Sequence, residues 1–302
     1  MRSLEFDAPV GLYEKALPAD WSWEERLTRA ADAGYHFIDI SIDESDKRLG
    51  RLDWPASERA TLRQAMANSG TPILTMCLSG HRKYPLGSQS PETRQQGLDI
   101  FRKAIDFAAD VGIRIIQVMG YDVFYEPSTA ETKARFIDGM AQGVGWASHA
   151  GVMLGLENVD NPLFESVEQG LGLVRELNSP WFQLYSDMAN LAGAGYHPPD
   201  QLRLAAGHLV AVHVKDARPG VIRGVPFGEG IVPFRETFQT LAQIGFSGPL
   251  VVEMWADMDP TGDPLKSAVT ARNFVEHLTT TVWSSITQPV RQDRLGFSGE
   301  VV

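Results

Sequence analysis

The feature of this sequence that most restricts its fold is a repeat of helix, glycine and strand. Segments with apolar helical periodicity end in a glycine, and a short apolar strand follows within a few residues. Glycine just past a helix end adopts the left-handed cap conformation without a Cβ penalty. One further copy, "LNSPWFQLYSD", has Asn178 at the glycine position. The glycines of the other copies are Gly34, Gly70, Gly112, Gly151, Gly207 and Gly245.

These copies predict eight strands that alternate with eight helices. The strands are apolar on both faces, which is typical of a buried parallel sheet. The alternation favours an α/β fold, a closed (β/α)8 TIM barrel. A doubly wound open sheet is the alternative, but the sequence has no G-x-G-x-x-G loop to support it. The strands are expected near residues 10–14, 37–42, 73–78, 114–119, 152–157, 182–186, 209–214 and 249–254.

We expect one barrel domain over residues 1–280, in which the last helix covers about 266–280. Residues 281–302 have no clean periodicity and are expected to form a C-terminal extension. A domain of this size buries roughly 75% of the surface of its unfolded chain and needs no disulfide. The single cysteine, Cys77, therefore fits the fold and indicates a reducing, cytoplasmic location.

Charge and hydropathy exclude several classes of partner. The net charge is −11, from 38 acidic and 27 basic residues. We therefore expect no nucleic-acid partner, because phosphate neutralisation requires clustered lysine and arginine. The N-terminal "MRSLEFDAP" begins with charges and lacks an apolar region, so no signal peptide is expected. No apolar run approaches the roughly 18 residues of a membrane helix.

Four successive predicted strands end in residues that commonly bind metal ions. The fifth, "LGLENVD", delivers Glu157, and the sixth, "QLYSDMAN", delivers Asp187. The seventh, "VAVHVKD", delivers His213, and the eighth, "LVVEMW", delivers Glu253. Because functional residues of a TIM barrel lie at the carboxyl ends of its strands, we expect these side chains to meet at one mouth.

One bound divalent ion would explain why these four residues occur at matching positions. Three carboxylates in a partly buried pocket repel one another and raise each other's pKa values, and a cation removes that cost. Three oxygens and one imidazole nitrogen suit one Mn²⁺, Mg²⁺, Co²⁺ or Zn²⁺ ion with open positions for substrate. A lone acid at a strand end is more often a helix cap or a salt-bridge partner. The matched position of all four favours the metal site.

Long segments of the sequence, among them "MCLSGHRKYPLGS", "SPWFQLYSDMANL", "VAVHVKD" and "GPLVVEMW", resemble one enzyme family. This is the L-ribulose-5-phosphate (L-xylulose-5-phosphate) 3-epimerase family, also called hexulose-6-phosphate isomerase, of the xylose isomerase-like TIM barrels. The resemblance covers about residues 3–280 and implies an isomerase that inverts C3 of a ketopentose phosphate. The resemblance implies that the metal ligands are Glu157, Asp187, His213 and Glu253. The acid/base roles fall on Glu157 and Glu253.

The resemblance has two departures. Many members of the family have more hydrophobic residues before the first glutamate, where this chain has Gly155. Many also have Asp-Ile-Gly-Asn after the sixth strand, where this chain continues from Asp187 with Met188, Ala189 and Asn190. These changes affect the packing near the metal more than the metal ligands. They leave the identity of the sugar substrate open.

A metal-dependent 3-epimerase requires two acids on opposite faces of its substrate. A C3 proton alpha to the C2 carbonyl is too weakly acidic for a free carboxylate. A metal on O2 and O3 would stabilise the developing cis-enediolate. Glu157 and Glu253, three strands apart, are expected to flank that intermediate and to remove and return the proton. Asp187 and His213 would hold the metal.

The phosphate of such a substrate needs donors. Lys215 follows His213 by two residues, so in a strand it points to the same side. The loop after the third strand offers Ser79, His81 and Arg82 as hydroxyl and cationic donors. The alternative role for Lys215 is a salt bridge to Asp216. The alternative for the segment from Ser79 to Arg82 is an ordinary loop that binds no ligand. The expected partners are a small sugar phosphate and further copies of the chain, in a dimer or tetramer.

Other functions on the same barrel stay open. A free-ketose 3-epimerase or an aldose–ketose isomerase would use the same metal and acids. An abasic-site metallonuclease would need more histidines at the strand ends and a basic face, whereas the seven histidines are scattered and the chain is acidic. A non-enzymatic sugar-binding protein would not require two acids, and its binding should survive Glu157→Gln.

Overall fold

Eight parallel strands close into a barrel in the order of the chain, in a computed structural model that describes residues 8–287 and the side chains of residues 8–282. The predicted (β/α)8 TIM barrel is confirmed, and every strand boundary lies within two residues of its expected position. The strands are β1 Val10–Tyr13, β2 Phe37–Ile42, β3 Ile73–Leu78, β4 Ile115–Met119, β5 Met153–Glu157, β6 Phe182–Asp187, β7 Leu209–Val214 and β8 Leu250–Val252.

Helices fill the connections between the strands and cover the outside of the barrel. The described helices are α1 Trp23–Asp32, α2 Asp46–Leu49, α3 Ala56–Ser69, α4 Pro91–Val111, α5 Ala130–Ala150, α6 Val167–Leu177, α7 Met188–Gly193, α8 Pro198–Leu204, α9 Phe234–Gln243 and α10 Pro264–Thr287. The short α2 and α7 are additions to the repeat. Helix α10 continues beyond residue 280, and residues 288–302 of the expected extension lie outside the described residues. The division into one domain and a tail stays a prediction.

The residues that mark the repeat have the backbone conformation that the sequence predicts. All six repeat glycines have positive φ, between 69° and 96°. Asn178 has φ 42° and is the one non-glycine residue with positive φ in the described chain. Its N–H donates to the carbonyl of Val174 and ends α6. Asparagine tolerates the left-handed region better than most residues, so Asn178 closes its helix as glycine does elsewhere.

The interior of the barrel is closed at the amino ends of its strands and polar toward their carboxyl ends. Phe37, the first residue of β2, lies inside against Gly11, where a Cβ would come within 2.2 Å of the Phe37 ring. Above it lie buried polar side chains, including Asp39, Thr75 and Gln117. The carboxyl mouth is therefore the polar end of the barrel interior. Within the described part of the chain, no helix has the length and apolarity of a membrane-crossing segment.

Candidate metal centre

The four predicted ligand residues lie together at the carboxyl mouth of the barrel. Glu157 ends β5, Asp187 ends β6, His213 lies in β7, and Glu253 directly follows β8. Asp187 is opposite His213 in the β6–β7 ladder, and His213 is opposite Val251 in the β7–β8 ladder. All four side chains are buried. Their position follows from the parallel register, which brings successive strand ends to one level.

The distances within this cluster suit a single ion. One ligand atom from each residue lies within 4.8 Å of the others. His213 Nδ1 is 3.0 Å from Glu157 Oε1 and 3.6 Å from both Asp187 Oδ2 and Glu253 Oε2. Metal–ligand bonds of about 2.0–2.2 Å separate opposed ligand atoms by up to about 4.4 Å. Small side-chain adjustments would therefore place all four ligand atoms around one divalent cation.

Asp187 is oriented for this role by the helix that follows it. Its Oδ1 accepts 2.8 Å hydrogen bonds from the backbone N–H groups of Ala189 and Asn190 and caps α7. The side chain of Asn158 accepts from the Asp187 N–H and donates to the Asp187 carbonyl. Oδ2 is thus directed toward the cluster while the rest of the residue is fixed.

Lys215 belongs to the cluster, and the sequence did not predict its contacts there. Its Nζ lies 2.6 Å from Asp187 Oδ2 and 2.6 Å from Glu253 Oε2. An ion bound by the four ligands would compete with this ammonium for the same oxygens. The alternative salt bridge to Asp216 does not form, because the Asp216 carboxylate accepts from backbone N–H groups of the following loop, including those of Gly228 and Gly230.

Burial and mutual charge set the protonation of the cluster. Burial raises the pKa of Glu157, and the hydrogen bond and charge of His213 only partly oppose it. Burial would raise the pKa of Asp187 too, but Lys215 and His213 outweigh it and lower that pKa. Burial alone would lower the pKa of His213, yet the surrounding carboxylates raise it well above its ordinary value. The cluster without an ion therefore holds a proton on His213 and a cation on Lys215.

Metal binding is therefore expected to release protons and to weaken in acid. The raised pKa of His213 means that an incoming ion must displace the imidazole proton before Nδ1 can ligate. Titration of the apo protein with Zn²⁺ in buffers of different ionisation enthalpy should give at least about one proton released per ion, and the apparent Kd should rise as pH falls. Binding without proton release would contradict the protonation described above.

Gly155 makes room for an aromatic side chain beneath the cluster. A Cβ on Gly155 would lie 2.9 Å from the Cβ of Tyr185, so a larger residue would displace Tyr185. The Tyr185 ring packs edge-on against His213, with centroids 4.8 Å apart. The departure at Gly155 noted in the sequence thus has a structural reason, since it permits the ring that supports the imidazole.

Of the four predicted phosphate donors, three meet at the mouth and one does not. Ser79, Arg82 and Lys215 line a cavity of about 70 Å³ that also contains Glu157 and Glu253.

His81 lies apart from that cavity lining, although it belongs to the same loop. Its ring packs edge-on against Phe101, and its Nε2–H donates to the carbonyl of Gly97 at 3.0 Å. Burial lowers the pKa of His81 to about 4, so its ring is neutral near pH 7 and cannot act as a cation toward phosphate. Its contacts hold the loop in place.

Two further cations at the mouth were missed by the sequence reasoning. Lys15 and Arg223 line the same cavity. Lys15 pairs with Asp43 at 2.6 Å, whereas neither Arg82 nor Arg223 forms an ion pair within residues 8–282. Arg82 lies over the ring of Phe124, and Arg223 lies over the ring of Trp255. No local motif marks Arg223, because it reaches the mouth from a long loop after β7.

Comparison with known proteins places the chain in a family. Residues 27–276 match the family described as "Xylose isomerase-like TIM barrel". The chain belongs to this family. Among its relatives, "L-ribulose-5-phosphate 3-epimerase UlaE" of Salmonella heidelberg (strain SL476) is 48% identical over 268 residues, which cover 89% of this chain and 94% of that protein. The protein of the same name from Escherichia coli O157:H7 has the same identity and coverage.

Two solved structures described as sugar 3-epimerases have the same fold. One described as "Structure of L-ribulose 3-epimerase" superimposes with a TM-score of 0.78 at 22% identity and covers 94% of this chain and 99% of its own. A D-psicose 3-epimerase determined in the presence of D-fructose gives a TM-score of 0.77 at 18% identity, over 90% of this chain and 99% of its own. At these identities the likeness concerns the fold alone.

Proposed function

We propose that this protein is a metal-dependent 3-epimerase of a ketopentose phosphate, L-ribulose 5-phosphate or L-xylulose 5-phosphate. The observation that carries the proposal is the buried cluster of Glu157, Asp187, His213 and Glu253. It lies in a chain that is 48% identical to relatives named L-ribulose-5-phosphate 3-epimerase. The proposal makes the protein an isomerase of the epimerase class.

The donor set supports one divalent ion and leaves its identity among Mn²⁺, Mg²⁺, Co²⁺ and Zn²⁺ open. Three carboxylates and an imidazole nitrogen converge within 4.8 Å, a set that carries excess negative charge suited to a cation. When bound, the ion would supply Lewis-acid chemistry that makes a proton next to a carbonyl easier to remove. In the proposal, Asp187 and His213 serve only as ligands, and Glu157 and Glu253 are both ligands and acid/base residues.

In the proposal, the two glutamates act on opposite faces of C3. Glu157 ends β5 and Glu253 follows β8, so β6 and β7 lie between them at the rim. The raised pKa of Glu157 suits a group that must accept and return a proton near neutrality. Asp187 is a poorer base, because its pKa is lowered and its Oδ1 is engaged by α7. In the proposal one glutamate removes the C3 proton and the other delivers a proton to the opposite face.

The phosphate is proposed to lie against the cations of the mouth. Arg82 is the strongest candidate, since it lines the cavity and its Nε has no hydrogen-bond partner among the described residues. Ser79 stands beside it in the same cavity. Lys215 can contribute only when an ion has taken over the oxygens of Asp187 and Glu253 that hold it in this structure. His81 supports the loop and does not contact the phosphate.

Arg82→Met is expected to raise KM for L-ribulose 5-phosphate by about 10- to 150-fold, the worth of a charge-assisted hydrogen bond of roughly 1.5–3 kcal/mol. Activity on free L-ribulose should change little, because that sugar carries no phosphate. Steady-state kinetics on both sugars test this. The matched control is Lys83→Met, because Lys83 is exposed and its nearest carboxylate is Asp46 at 3.9 Å. An equal loss on both sugars would remove Arg82 from the phosphate site.

A panel of phosphorylated and free ketoses separates the proposal from its rivals. Turnover of free ketoses as fast as their phosphates would make the protein a free-ketose 3-epimerase, and an aldose product would make it an isomerase. Sugar binding that survives Glu157→Gln without turnover of any panel member would favour a binding protein. The dimer or tetramer and the cytoplasmic location stay predictions of the sequence.

A further inference from the structure

Beneath the metal cluster lies a group of buried polar atoms that nothing in the proposed reaction uses. Asp39 Oδ2, both polar atoms of the Gln117 amide, the Tyr185 hydroxyl and His213 Nε2 are buried and have no hydrogen-bond partner among the described residues. Leaving such atoms buried and unpaired destabilises the folded state, so a group of them in one region calls for a physical reason.

These atoms share the inside of the barrel. Asp39 lies at the middle of β2, level with Tyr13 of β1 and Thr75 of β3, and its exposed fraction is 0%. Tyr185 and Gln117 are also fully buried, and the Tyr185 ring touches the His213 ring. Since His213 Nδ1 faces the carboxylates, Nε2 on the opposite edge of the ring faces away from them. The second nitrogen of the proposed ligand is thus directed into this polar core.

Asp39 is the one carboxylate in that group, and it is held in a fixed orientation. Thr75 donates a 2.6 Å hydrogen bond to Oδ1, which leaves Oδ2 free. A histidine that ligates a metal through one nitrogen nearly always donates its other N–H to a carboxylate, a carbonyl or a water. A buried water with two to four polar partners is an ordinary way to join such groups.

We propose that Asp39 is a positioning residue for the metal ligand His213, accepting the Nε2–H proton through one buried water that Tyr185 and Gln117 help to hold. The arrangement keeps the proton on Nε2, so that the Nδ1 lone pair faces the ion, and it fixes the plane of the ring. Thr75 sets the direction of the Asp39 carboxylate. This inference rests on the proposed metal site, and it concerns residues outside the ligand set.

Asp39→Asn tests the inference, because it removes the charge and keeps the shape. Zn²⁺ affinity is measured by chelator competition, and the unfolding of the apo protein is measured alongside. Loss of such an outer partner typically weakens metal binding by about 10- to 100-fold, and we expect that change here. Asparagine keeps the shape of the side chain and can still accept the hydrogen bond from Thr75, so the apo protein should stay folded. Replacing a purely structural aspartate would instead destabilise the protein and leave the Zn²⁺ affinity of its folded form unchanged.

Two further variants test whether the effect on Zn²⁺ affinity is specific to Asp39. Thr75→Val should weaken Zn²⁺ binding by less than Asp39→Asn, since it removes only the orienting hydrogen bond. Asp122→Asn is the matched control, because Asp122 is equally buried and, like Asp39, is bonded by hydroxyl groups at one oxygen while the other oxygen has no partner among the described residues. Asp122 lies in the loop between β4 and α5, so this variant should bind Zn²⁺ with unchanged affinity.

Wild-type Zn²⁺ affinity in Asp39→Asn, or an apo variant that does not fold, overturns the inference. If the wild-type protein itself binds no Zn²⁺, the proposed metal site fails instead, so the two failures are distinguishable. In zinc-loaded, ¹⁵N-histidine-labelled protein, the Nε2–H proton of His213 should exchange faster with solvent in Asp39→Asn than in wild type. Equal exchange rates would also overturn the inference.

Discussion

Glu157→Gln and Glu253→Gln are each expected to abolish epimerisation of L-ribulose 5-phosphate, a loss of at least about 10²–10⁴-fold for a missing acid/base group. Glutamine keeps the shape of the side chain but cannot accept the C3 proton. At least one variant should still exchange the C3 proton of one epimer with solvent, because the remaining glutamate serves its own face. The measurement pairs turnover with C3 exchange, followed by NMR in deuterated water.

Metal occupancy must accompany these assays, since both glutamates also belong to the cluster. Glu229→Gln is the matched control, because Glu229 lies in the loop between β7 and α9, is largely exposed and pairs with Arg218. It should keep wild-type turnover. Near-normal turnover by either metal-loaded cluster variant would exclude the two-base scheme.

Asp187→Asn is expected to weaken divalent-ion binding by at least about 100-fold, beyond the effect of outer partners, because it removes a charged ligand oxygen. The variant also takes one of two carboxylate partners from the buried Lys215, so the apo protein should lose stability. Calorimetric titration with Mn²⁺ or Zn²⁺ measures the first effect. Thermal unfolding of the apo protein measures the second.

Recovery of turnover at saturating ion concentration is expected to distinguish Asp187 from the two glutamates. In the proposal Asp187 transfers no proton, so saturating Asp187→Asn with ion should restore much of the turnover, whereas the glutamate variants stay inactive when loaded. Asp160→Asn is the control for ion affinity, which it should leave unchanged. Asp160 lines the cavity at the mouth of the barrel but is not one of the four ligand residues. Unchanged ion affinity in Asp187→Asn would remove that residue from the metal site.

The barrel could be predicted because its helix ends carry their own signal. A left-handed cap favours glycine or asparagine, so these residues mark the ends of the helices in the repeat. Asn178 could be recognised because it stands where the other copies have glycine. The end of α10 could not be found in this way. Its expected limit was placed where the periodicity fades, whereas the helix continues to Thr287.

The ligand residues could be predicted because strand ends in a parallel barrel share one level. Contacts that depend on side-chain direction could not. Period-2 alternation placed Lys215 on the side of His213, but only the structure reveals that its ammonium lies between two carboxylates. The sequence also predicted His81 as a phosphate donor, whereas its buried ring is bonded to the carbonyl of Gly97. Arg223 comes from a loop without periodicity, so no local rule places it at the mouth.

The polar core of the barrel was likewise beyond the sequence reasoning. Asp39 and Gln117 lie in apolar strands, where a single polar residue gives no sign of whether it points inward or to the helices. The register of β2 with β1 and β3 places Asp39 inside, level with Tyr13 and Thr75. Polar residues inside a barrel are costly unless paired, which is why these positions suggest a purpose connected with the site above them.

The most direct test of the proposed function is the fate of the C3 proton in wild-type protein. The metal-loaded enzyme is incubated with L-ribulose 5-phosphate in deuterated water, and the products are analysed by NMR. The proposal predicts L-xylulose 5-phosphate that carries deuterium at C3, with none introduced at C1. Deuterium at C1 together with an aldose product, or no incorporation and no epimer, would contradict a 3-epimerase acting through Glu157 and Glu253.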